Sequence, residues 1–152
     1  MAAETTTGRR SYEAARRRRA ELLQAIQSFE QAVAAPAGGA AGPAWRERVR
    51  SRLAALREQL AEHVVVTEGP DGLYAELLEH APRLDRPVAG LVAEHQKLLV
   101  RADSLARWLR PDREVEPVRQ RAGMLLSALS RHRQRGADLV YEAYAMDIGG
   151  ET

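Results

Sequence analysis

The sequence predicts an all-α chain, folded as an antiparallel up-down four-helix bundle with short extra helical segments at one end. Apolar residues recur at steps of three and four through four long segments, and Gly and Pro gather in the connections between them. No alternating period-two pattern argues for a strand. The 152 residues suffice for one domain with its own core. That domain is expected over residues 11–147, between a disordered segment at 1–10 and a flexible tail at 148–152.

The first helix is expected over residues 11–34. Tyr12, Ala15, Arg19, Leu22, Ile26, Phe29 and Val33 share one face of it. Residues 35–43 (APAGGAAGP) form a linker. The second helix starts near Ala44 and lines up Trp45, Val49, Leu53, Leu56 and Leu60. It is expected to break at residues 69–72, because Pro70 removes a backbone donor and crowds the preceding turn. Asp71 is then placed to cap a short helix over 73–81.

Residues 82–87 make the next turn. The third long helix is expected over 88–110, with Val88, Leu91, Leu98, Ala102, Leu105 and Leu109 facing inward. A turn at 111–117 leads to the fourth, which begins near Val118 and presents Ala122, Leu125 and Leu129. A last apolar helical segment covers 137–146, ahead of Gly149 and Gly150. Short connections between amphipathic helices imply antiparallel neighbours whose stripes are buried together.

Composition narrows the function. The chain has no cysteine, which removes disulfides, thiolate metal sites and cysteine nucleophiles together. No apolar run reaches the ~18 residues a membrane span needs. The opening residues lack the apolar stretch of a signal peptide, and the absence of cysteine fits the cytoplasmic protein that is expected. Of 23 basic side chains only Lys97 is lysine, and the net charge is +2, too small to argue for nucleic acid. The run Arg9, Arg10 and Arg16 to Arg19 reads as a solvated helix face.

The stripes carry the chemistry where they break. Leu53, Leu56 and Leu60 lead to His63. Val88 and Leu91 lead to His95, and Ala122, Leu125 and Leu129 lead to His132. On the first helix the interrupting residue is Arg19. Residues of an antiparallel hairpin are level when equidistant from its turn. Arg19 and His63 are centred on Ala41, in the first linker, and His95 and His132 on Arg113 to Glu114, in the third turn. Each pair is therefore level to within about a helical turn. His63 and His95 become level only if the second helix breaks at 69–72 and the segment 73–81 folds over the open end as a lid. Imidazole is a common metal ligand, and bundle cores are common metal sites. Burying several imidazoles without partners is costly, so a shared partner is expected. His80, on a short polar helix, reads as surface.

At this point the chain resembles the hemerythrin family, also called HHE cation-binding domains, over residues 11–146. The resemblance rests on the four helices, on LREQLAEH ending at His63, on VAEHQKLL around His95, and on LSRHRQRGADLVYEAY around His132. The last phrase is similar to the tail of bacterial hemerythrin-like proteins. The family holds two irons with about five histidines and two bridging carboxylates. The resemblance gives one ligand each to His63, His95 and His132. This sequence departs elsewhere: Arg19 stands for the first-helix histidine, Thr67 for the carboxylate four residues after His63, Leu99 for the second histidine of the third helix, and Gly136 for the residue four after His132. Glu68 and Asp138, five and six residues from their histidines, reach the site only through a local distortion of the helix. A complete oxygen-carrying di-iron site is not expected.

Three functions follow. The first is a reduced site binding iron or another divalent ion through His63, His95 and His132, with Glu68, Glu94 or Asp138 as further donors. It would serve to sense a small-molecule ligand or to store metal. Tyr12, Tyr74, Tyr141 and Tyr144 lie toward the same end, and one of them is placed to hydrogen-bond a ligand. The second is a metal-free binding or regulatory module, in which Arg19 pairs with Glu68, Glu94 or Asp138 in a polar pocket. An enzyme using histidine as general base ranks last, since no nucleophile, phosphate loop or matched carboxylate pair is present.

Overall fold

The structure, a computed structural model, describes the backbone of residues 2–149 and the side chains of residues 13–145. Among the described residues it consists of helices and the turns between them, with no strand. Four long helices, α1 (Ala2–Ala34), α2 (Gly42–Glu68), α4 (Asp85–Trp108) and α5 (Val115–Gly149), are joined by short connections. A short helix, α3 (Leu73–His80), lies between α2 and α4. Laterally, α1 packs on α2, α2 on α4, α4 on α5 and α5 back on α1.

Each helix buries the stripe its spacing marks. On α4 the buried set is Val88, Leu91, His95, Leu98, Ala102 and Leu105, alternating steps of three and four without interruption. On α2 the stripe continues past His63 to Val64 and Thr67. The helix bounds differ from expectation at several ends. α1 starts at Ala2 rather than after residue 10, as no proline precedes Pro36 to stop it. The tail expected from residue 148 is helical to Gly149, and its remainder lies outside the described residues. α4 and α5 start at Asp85 and Val115, earlier than expected, with Pro87 and Pro117 in their first turns. A first-turn proline lacks only an N–H that has no helical partner there. α5 also runs unbroken through Gly136, so the segment expected at 137–146 is its continuation.

Long-range bonds hold the connections. Arg119 of α5 donates to the carbonyls of Val33 and Ala35 at 3.1 and 2.8 Å, satisfying acceptors that α1 leaves open at its end. Trp45, fully buried, aims its indole N–H at the Val33 carbonyl as well. Arg46 donates to the Arg113 carbonyl at the turn between α4 and α5.

The break between α2 and α3 occurs at 69–72, as the sequence predicts. Its cap is Gly72 rather than Asp71, and no side chain caps α3. The Gly72 N–H closes the turn on the Gly69 carbonyl at 2.9 Å. A Cβ on Gly72 would sit 2.2 Å from the Val66 carbonyl oxygen and 2.8 Å from that of Thr67. Only glycine lets α3 turn back this tightly against the end of α2.

The core divides in two. A large apolar cluster joins α1, α2, α4 and α5, from Phe29 and Trp45 up to Leu22, Leu60, Leu98 and Leu129. A smaller one gathers Tyr74 and Leu77 of α3 with Leu84, Val88, Leu91, Leu139 and Ala143. Along α4 and α5, His95 and His132 fall between the two clusters. Because Gly72 seats α3 against them, Gly72→Ala is expected to destabilise the fold by about 1–3 kcal/mol, lowering Tm by ~2–4 °C per kcal/mol. Thermal unfolding followed by circular dichroism checks this. An unchanged Tm would mean that the α2–α3 turn relaxes freely.

Candidate metal centre

His63, His95 and His132 meet at the boundary of the two apolar clusters. Each is at least nine-tenths buried, His95 completely. The ring centroids lie 5.1 Å apart for His63 and His95, 4.6 Å for His95 and His132, and 6.1 Å for His63 and His132. One ligand nitrogen from each lies within 4.8 Å of the other two. The level placement predicted from hairpin midpoints is therefore observed for the three histidines.

The surroundings keep all three rings neutral. Burial lowers the His63 pKa to about 3, with the nearby imidazoles and the Arg19 charge adding to it. Burial and His132 lower His95 to about 4, against the opposing pull of Glu94. Burial also lowers His132, again against Glu94. At neutral pH each ring thus offers a lone pair, the form that binds metals.

His95 is held from two sides. Its Nδ1 lies 3.1 Å from Glu68 Oε1, and its Nε2 lies 3.3 Å from the Tyr74 hydroxyl. A carboxylate only accepts, so a neutral His95 carries its proton on Nδ1 and donates it to Glu68. Burial, and then the Glu68 charge, push the Tyr74 phenol up, so it keeps its proton and donates to Nε2. A histidine whose far N–H rests on a carboxylate is the arrangement that fixes the tautomer of metal-bound imidazoles. The Nδ1 atoms of His63 and His132 are buried with no hydrogen-bond partner. Glu94 Oε2 approaches His132 Nδ1 only to 3.8 Å, too long for a hydrogen bond. Buried polar atoms are rarely left so, and each such atom costs about 1–3 kcal/mol.

The other predicted residues separate. Glu68 sits on His95, reached across the α2–α4 boundary, with α2 helical to its end. Thr67 is buried and returns its hydroxyl to the His63 carbonyl at 2.7 Å. Glu94 is held by Arg135, a partner that sequence spacing did not suggest. Asp138 is exposed and accepts from Gln134 at 2.9 Å. The distortion at Gly136 that would bring it to the site is absent, and six helical residues carry it ~120° from His132. Tyr141 is 74% exposed and lies outside the pocket. Tyr144 stacks on exposed His80. The Tyr12 side chain lies outside the described residues. Leu99 is half-buried against the larger apolar cluster.

Arg19 lies beside the site without the carboxylate the metal-free module required. It is half-buried, and among the described residues no carboxylate pairs with it. Its neighbour Arg18 pairs with Glu62. Between α1, α2, α3 and α5 a cleft of about 260 Å³ opens to the site, lined in part by Arg19, His63, Tyr74, His132 and Gly136. None of the cleft's apolar wall residues, Leu22, Leu77 and Val140 among them, stood out as site residues in the sequence. They continue ordinary stripes.

Comparison with protein-family models, with curated proteins and with solved structures finds no match.

Two outcomes follow from the buried rings. The folded pKa values lie below the ordinary 6.5. Above about pH 6.5 the unfolded imidazoles are neutral too, and the full stability is present. As pH falls toward 4 the unfolded chain takes up protons that the fold refuses, and stability falls by the order of a few kcal/mol. Urea midpoints for the metal-free protein at about pH 7.5, 6 and 5 check the slope. A midpoint independent of pH would show that the rings are not buried neutral. Separately, Tyr74→Phe strips Nε2 of its donor and is expected to cost about 1 kcal/mol. Stability equal to the parent would mean that this contact contributes nothing.

Proposed function

We infer that the chain is a hemerythrin-like, antiparallel up-down four-helix bundle that binds one divalent metal ion, iron or another, through His63, His95 and His132. The observation that carries this reading is the set of three buried, neutral imidazoles, two of which leave Nδ1 unpartnered. A metal ion satisfies the lone pairs that no protein donor reaches. Three nitrogen ligands and an open position facing a cleft match the donor count of reactive rather than closed structural sites. One ion fits this donor set better than two. Leu99 supplies no ligand, and neither Glu68 nor Asp138 bridges the three rings.

Each residue then has a task. Glu68 fixes the His95 tautomer so that Nε2 carries the lone pair. Tyr74 covers that lone pair and turns aside when a ligand replaces it. The cleft admits solvent and small molecules. A bound ion would supply Lewis acidity and an exchangeable coordination position. That is consistent with sensing a small molecule or storing metal in the cytoplasm.

Protein prepared without a histidine tag, loaded anaerobically with Fe(II) or Zn(II) and desalted, is expected to retain one ion per chain by elemental analysis. Single His63→Ala, His95→Ala and His132→Ala variants are expected to lose it. At metal a hundredfold above Kd the fold gains about 2.7 kcal/mol, seen as a Tm rise reversed by chelator. Substoichiometric metal together with a Tm indifferent to chelator would refute the reading.

A further inference from the structure

The metal reading leaves Arg19 unexplained. Arg19 is half-buried and lines the cleft, and its fixed positive charge acts on His63. Among the described residues no ion pair joins Arg19 to a carboxylate, and Glu68, Glu94, Asp138 and Glu62 are engaged by His95, Arg135, Gln134 and Arg18. The cleft holds a second unanswered group, because His63, which also lines it, is nine-tenths buried and lacks a partner at Nδ1. The rest of the lining combines Thr67 and Arg133 with an apolar wall that includes Leu22, Leu77 and Val140.

We propose that this cleft binds a short aliphatic monocarboxylate, with its headgroup on Arg19 and its chain against Leu22, Leu77 and Val140. The guanidinium fork matches a carboxylate edge to edge and holds it by two charge-assisted bonds. Arg133, an exposed residue, also lines the cleft, and the two positive charges favour an anion over a neutral ligand of the same length. The apolar wall takes up an alkyl chain, gaining ~25 cal/mol for each Å² of apolar surface removed from water. At about 260 Å³ the cleft falls just below the 300–1,000 Å³ typical of sites for drug-sized ligands, so the chain is short. The site goes beyond the metal reading and needs no ion to form.

Hexanoate is the probe, titrated calorimetrically into protein freed of metal by chelator. Saturable binding is expected. Arg19→Gln and replacement of the probe by 1-hexanol should each weaken it about tenfold or more. Gly136→Leu retains Arg19 but fills the cleft. A Cβ there meets nothing within 4 Å, and leucine favours helix over glycine, so this variant folds while losing hexanoate. Far-UV circular dichroism verifies that both variants are folded. The proposal is overturned if hexanoate does not saturate, if Arg19→Gln binds it equally, or if 1-hexanol does as well. Hexanoate binding that appears only after zinc loading and survives Arg19→Gln would make the acid a ligand of the ion. That outcome supports the metal centre and overturns this proposal. Binding by metal-free protein that is lost in Arg19→Gln supports the proposal even in a protein that retains no metal.

Discussion

The interaction on which the site depends is the clamp on His95, between the Glu68 carboxylate and the Tyr74 hydroxyl. His95 is fully buried on an otherwise unbroken stripe of α4. An imidazole there must be neutral and must find a donor and an acceptor. The donor comes from α3 and the acceptor from the last residue of α2. The turn at 69–72 is therefore as much a part of the site as the histidines. Gly72 permits the close reversal that sets Tyr74 over His95 while Glu68 remains helical.

That clamp also explains the asymmetry of the three rings. His95 has both nitrogens engaged, whereas His63 and His132 each keep one idle. The site is pre-ordered at His95 and unfilled at His63 and His132. The cleft is lined by these two histidines, and Arg19 and Arg133 are the charges that border it. Tyr74 joins the two, because it hydrogen-bonds His95 and also lines the cleft.

Much of this was legible in the sequence, for a physical reason. Helical burial repeats every three to four residues, so Leu53, Leu56, Leu60 and His63 declare a shared face wherever their neighbours lie. Hairpin symmetry then gives the height of His95 and His132. The pairing of polar groups was not legible. Glu68 looked remote because it was judged against His63 on its own helix, yet it serves His95 on the next one. Asp138 needs a helix distortion, for which Gly136 offers a place, but a glycine inside a long helix costs only about 1 kcal/mol and α5 absorbs it. Spacing expects Arg19 to pair with Glu68, Glu94 or Asp138, yet Glu68 bonds His95 and Glu94 pairs with Arg135, partners set by the packing of other helices. The cleft escaped notice because a void between helices leaves no mark on the periodicity of any one of them.

The division of the core into two apolar clusters has a consequence for the alignment of the helices along their length. Leucines are interchangeable: a helix of regular stripe can slide one turn, ~5.4 Å, and find leucines again. His95 cannot. One turn away it would lose its bonds to Glu68 and Tyr74 and lie among the leucines of one cluster or the other, with an unpaired buried nitrogen costing about 1–3 kcal/mol. The polar layer therefore acts as a key that distinguishes one vertical register from its neighbours, much as a lone buried asparagine does in a coiled coil.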